Sequence, residues 1–104
     1  MSAPTELKLI TVIVQHKDEK KVLDAALAAG APGATYFYGR GTGVRQRLGM
    51  LGWLVEAEKA IIMMAVPPDK LDAVVAAVSA AAELHTPGKG LLCVHTVSQV
   101  IGLA

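Results

Sequence analysis

The chain has 104 residues, a formal charge of +1, 53% hydrophobic residues and a mean hydropathy of +0.46. That length holds one core and no second, so a single domain over 1–104 is expected, with residues 1–5 as a disordered N-terminal tail. The balanced charge gives no basis for nonspecific nucleic-acid binding, and the lone Cys93 excludes an internal disulfide and fits a reducing compartment.

No apolar run reaches the roughly 20 residues of a membrane span, and Met1-Ser2-Ala3-Pro4-Thr5 is no secretory signal, so the chain is expected to stay in the cytoplasm. In chain order, Leu7 to Val14 is β-branched and nearly continuous in apolarity, the pattern of a central strand. Asp18 to Ala29 follows with Val22, Leu23, Ala26 and Leu27 on one stripe and Gly30 past the end, which predicts an amphipathic helix. Ala31-Pro32-Gly33 turns the chain, and Ala34 to Tyr38 reads as a second strand ending at glycine.

The second half repeats the order. Ala60 to Val66 is a strand stopped by Pro67-Pro68, and Leu71, Val74, Val75, Val78 and Ala82 line one face of a second helix. Thr86-Pro87-Gly88-Lys89-Gly90 leads into a fourth strand, Leu91 to Val97, and both helices contain Leu-Asp-Ala. Two strand–helix–strand halves predict an α+β, ferredoxin-like βαββαβ domain: a four-stranded antiparallel sheet with both helices on one face. Strands this apolar leave the other face in need of cover, for which oligomerisation is the economical answer.

The stretch from Gly39 to Trp53 is too long for a simple hairpin and carries Arg40, Arg45, Arg47 and five glycines. Glycines let backbone N–H groups approach a phosphate or carboxylate, and arginine offers planar paired donors to the same group. The alternative is a flexible hairpin with solvated arginines. Val44, Leu48, Met50, Leu51, Trp53 and Leu54 argue for a segment that docks on a partner or a neighbouring subunit. Gly88-Lys89-Gly90 is a second glycine turn with a cation, otherwise an ordinary helix-to-strand connector.

His16, His85, His95 and Cys93 raise the question of a metal, but no helical i, i+4 pair or Cys-x-x-Cys occurs, although Cys93 and His95 share one strand face. Met63-Met64 reads as core filler and Asp24 and Asp72 as solvated helix faces; no nucleophile stands beside a base, so catalysis is not expected.

Taken together, the strand and helix order from about Leu7 to Ile101, Arg40-Gly41-Thr42-Gly43 after the second strand, and Gly88-Lys89-Gly90 before the fourth resemble the PII family of signal-transduction proteins. Those glycine segments correspond to the family's T-loop entrance and B-loop. The resemblance implies a homotrimer with adenine nucleotide bound in the clefts between subunits and no covalent cofactor. Carried over, Thr35 and Met64, with Ile13 or its neighbours, would border the base. Gly41, Gly43, Gly88 and Gly90 would face the phosphates, with Arg40, Arg45 and Lys89 as cations.

The stretch Val44 to Leu54, including Arg47, Leu48, Met50, Leu51 and Trp53, would engage a target such as a membrane transporter or a metabolic enzyme. No tyrosine lies between Gly39 and Trp53, Leu91 stands where the family has a lysine, and the C-terminus lacks the family's arginines. A mono- or diphosphate nucleotide would demand fewer cations than a triphosphate. A second reading is a metal-binding trimer resembling copper-tolerance proteins, with His16, Cys93, His95 and the methionines as ligands, and a third is a structural oligomerisation module.

Overall fold

The computed structural model describes residues 6–41 and 57–102, residue 57 by its backbone alone. Strands β1 (Lys8–Gln15), β2 (Thr35–Gly41), β3 (Ala57–Val66) and β4 (Gly90–Thr96) alternate with helices α1 (Glu19–Ala28) and α2 (Pro68–Ala81) in the order βαββαβ. The sheet order is β2-β3-β1-β4 and every neighbouring pair is antiparallel, which is the ferredoxin-like α+β arrangement expected.

Side chains alternate across a strand with period two. On β1, Ile10, Val12 and Val14 are buried, and on β3 so are Ala60, Ile62, Met64 and Val66. They meet Val22 and Ala26 of α1 and Val74, Val78 and Ala82 at α2 and its end, forming one core between sheet and helices. Small residues at Ala26 and Ala82 keep the helices close to the strands while removing nearly all of these side chains from water. Stability comes chiefly from this layer, at roughly 25 cal/mol per Å² of apolar surface buried.

Both helices end in the same hydrogen-bonded pattern. Ala31 N–H donates to the Ala26 carbonyl at 3.0 Å after α1, and Leu84 N–H donates to the Ser79 carbonyl at 3.0 Å after α2. The left-handed residue in this pattern is Gly30 at φ 115° in the first case and Glu83 at φ 53° in the second. A glycine suits that backbone conformation; a glutamate carries a Cβ against it. Pro68 opens α2 as its first residue, where its missing N–H costs no helix bond.

Three boundaries differ from the sequence expectation. Asp18 does not begin a solvated helix: a 3-10 turn, His16–Asp18, precedes α1, and Asp18 is buried at 4% exposure. β2 continues through Gly39-Arg40-Gly41, which pair with Lys59, Glu58 and Ala57, so the first glycines of the long connection are strand rather than loop. β3 begins at Ala57, earlier than its apolar run, because pairing with β2 holds it there.

The face of the sheet turned from the helices is apolar. Register puts Phe37, Ile61, Ile13 and Leu91 in one row and Thr35, Met63, Thr11 and Cys93 in the next. Phe37 is 50% and Leu91 48% exposed there.

Candidate functional site

The loops and turns of interest gather at one end of the sheet. Tyr38, Ala60, Val14 and Gly90 form one row across it, with Gly39, Lys59 and Gln15 in the next row outward. Tyr38 near the end of β2 and Gly90 at the start of β4 therefore lie level with each other but on opposite edges. Three strand spacings of about 4.8 Å separate them, about 14 Å in all.

One consequence is direct: Arg40 and Gly41 do not meet Gly88, Lys89 and Gly90 within one chain. Gly43, Val44, Arg45, Arg47, Leu48, Met50, Leu51 and Trp53 lie outside the described residues. Thr35 pairs with Met63 at the open face, while Met64, one residue on, points into the helix-side core and is 1% exposed. The two residues expected to border a base thus sit on opposite faces. Met64 is a core residue, because strand periodicity turns it toward the helices.

Gly88 at φ 84° and Gly90 at φ 147° both occupy conformations that disfavour side chains. At Gly90 space is also decisive: a Cβ there would lie 2.3 Å from the Ile13 carbonyl oxygen and 3.2 Å from Val14 Cγ1. The glycine before β4 is required by its approach to β1, whatever else the turn holds.

Lys89, between these glycines, is not a free surface cation. Its Nζ lies 3.5 Å from Asp18 Oδ2 and 3.8 Å from Glu83 Oε2, and its side chain is only 20% exposed. Asp18 is held from the other side by Lys21 Nζ at 3.3 Å, one turn along α1. A buried carboxylate needs such compensation, because leaving water costs several kcal/mol when it is unpaired.

A second polar cluster stands on the paired strands β2 and β3, beside the 3-10 turn after β1. The Tyr38 hydroxyl donates to the Glu19 carboxylate, 2.8 Å from each oxygen, and the His16 ring meets Tyr38 edge-on at 4.7 Å. When protonated, His16 pairs with Glu19 Oε2 at 3.6 Å through Nε2 and with Glu58 Oε1 at 3.4 Å through Nδ1. The hydrogen bond to Glu19, then desolvation and the nearby negative charges, raise the Tyr38 phenol above its ordinary 10.0. On the outer face of α1, the bond to Asp24 at 2.8 Å likewise raises Lys20.

Neither cluster is visible in sequence spacing. Lys89 is 71 positions from Asp18, and Glu58 is 42 from His16; only the sheet order brings them together. The one faint signal is Asp18 itself, an acidic residue three positions past the end of β1.

Cys93 and His95 share one strand face as expected, and it is the open face of the sheet, with His95 Nε2 3.1 Å from Thr11 Oγ1. Among the described residues no group of three or more histidine, cysteine, aspartate or glutamate side chains is arranged to hold a metal ion. Among them, too, no helix is long and apolar enough to cross a membrane.

Fold and site together define a small ferredoxin-like domain whose one end carries two constrained glycine segments and two charged clusters. Residues 7–103 match the family model described as nitrogen regulatory protein P-II, and the chain belongs to that family. The family that this model describes is one of regulatory proteins. Among solved structures it is similar to a Bacillus cereus protein related to NIF3, at a TM-score of 0.71 and 23% identity over 94% of this chain. The chain spans 27% of that protein's length, so the likeness is one of fold. No curated protein sequence matches it.

Proposed function

We propose that the chain is a PII-like sensor that binds an adenine nucleotide (AMP, ADP or ATP) between copies of itself and passes the bound state to a target through the segment 39–54. The observation that carries this reading is the placement of the two glycine segments. They lie at one end of the sheet and on opposite edges, so a ring of copies would bring the first segment of one copy to the second segment of its neighbour. Thr35, Arg40 and Gly41 of one copy would then face Gly88, Lys89 and Gly90 of its neighbour. A closed trimer does this while covering the apolar face that carries Phe37 and Leu91.

The mechanism is a population shift: a ligand that favours one arrangement of the 39–54 segment changes what that segment engages. A membrane transporter or a metabolic enzyme is the partner expected. Calorimetry and thermal melts with AMP, ADP and ATP test the reading. At a hundredfold excess over Kd a nucleotide stabilises the fold by about 2.7 kcal/mol, a shift readily seen in a melt. No heat and no shift with any of the three would end it.

A further inference from the structure

We propose that Asp18 competes with the anionic ligand for Lys89, and so sets the affinity of the Gly88–Gly90 turn for phosphate groups. The proposal rests on the nucleotide reading above and adds to it a residue that would not touch the ligand.

Asp18 has a side chain 5% exposed, and its Oδ2 accepts no hydrogen bond among the described residues. Lys89 Nζ lies 3.5 Å from that oxygen. A well-made ammonium–carboxylate hydrogen bond is about 2.8 Å long, so the pair is attractive but loosely formed. Glu83 Oε2, at 3.8 Å from the same nitrogen, is looser still. Lys89 therefore sits between two carboxylates and is bonded closely to neither.

A phosphate group arriving at the turn offers more negative charge than either carboxylate and the freedom to approach Lys89 at bonding distance. Transfer of Lys89 does not strand Asp18 as a lone buried charge, because Lys21 stays 3.3 Å from its Oδ1. The exchange is thus feasible, and every increment of attraction between Asp18 and Lys89 is subtracted from ligand affinity. Asp18 ends the same 3-10 turn that begins at His16, which reaches Glu58 near the start of β3. Charge exchange at Lys89 is felt next to the segment that would engage the target.

Calorimetric titration of the full chain with ADP, in Asp18→Asn, Glu83→Gln and Asp24→Asn beside the parent, tests this. Asp18→Asn is expected to tighten ADP about fivefold and Glu83→Gln about twofold, in keeping with partly screened pairs. Asp24→Asn changes net charge equally but frees Lys20 on the far face of α1, and should leave affinity unchanged, as distant exposed charges are screened.

If Asp18→Asn does not fold, the exposed Glu83→Gln decides by itself. ADP bound by the parent with unchanged or weaker affinity in folded Asp18→Asn and in Glu83→Gln overturns the exchange and leaves the nucleotide reading standing. Equal tightening by Asp24→Asn reduces the effect to net charge and also overturns it. No ADP binding by parent or variants removes the nucleotide reading and this proposal with it.

Discussion

Gly90→Ala is the substitution whose effect the structure fixes most closely. The new Cβ would lie 2.3 Å from the Ile13 carbonyl oxygen and close to both Cα and Cγ1 of Val14. Neither the backbone oxygen nor the strand beneath it moves without disturbing the Val14–Gly90 pairing that begins β4. The φ of 147° adds a conformation nearly confined to glycine, at about 1–3 kcal/mol, and the overpacking adds about 1–3 kcal/mol more. A loss of about 2–6 kcal/mol is a large part of the 5–15 kcal/mol typical of a domain.

Urea denaturation followed by circular dichroism measures this loss, and the melting temperature should fall by at least about 8 °C. Gly33→Ala is the matched control: nothing lies within 4 Å of its Cβ position, and that change should be neutral or stabilising by up to about 1 kcal/mol. Gly90→Ala unfolding within about 1 kcal/mol of the parent would refute the register at the start of β4, and with it the position of the turn that carries Lys89.

Further outcomes follow from other parts of the fold. Spectrophotometric titration of the parent minus Tyr38→Phe should show a phenol ionising above 10.0, and Glu19→Gln should bring it back toward that value. Because the folded value exceeds the unfolded one, this hydrogen bond contributes fully below about pH 10 and is lost as pH rises through the folded value, so the stability difference between the parent and Tyr38→Phe should shrink there. In the proposed ring, Phe37→Asp with Leu91→Asp places two charges on the open sheet face and should reduce the mass measured by light scattering from about three chains to the 10.8 kDa of one; a parent of that mass, or a larger mass kept by the variant, refutes cover of that face by the ring. Glu83→Gly relieves the left-handed glutamate after α2 and should raise stability by up to about 1 kcal/mol in thermal melts, with a decrease showing that the Glu83–Lys89 pair outweighs the backbone gain. Ile62→Ala, at a fully buried position of β3, should cost about 2–5 kcal/mol in the same assay.

Local chemistry by itself determined the elements. The apolar run at Ile10 to Val14, the stripe of Val22 and Ala26, and Pro68 at a helix start speak through side-chain period and backbone preference, which act between near neighbours. From them the βαββαβ order and the need to cover one sheet face were legible. Only the tertiary structure decided what lies at the end of the sheet. Gly39-Arg40-Gly41 reads as loop by composition, yet pairing with Lys59 to Ala57 makes it strand. Thr35 and Met64 read as neighbours of one ligand, yet register turns them to opposite faces. Lys89 reads as a cation offered to phosphate, yet folding brings Asp18 and Glu83 beside it. Most of these turn on strand pairing or charge proximity between residues distant in sequence, such as Asp18 and Lys89, and such partners are chosen by the packed sheet and not by spacing along the chain.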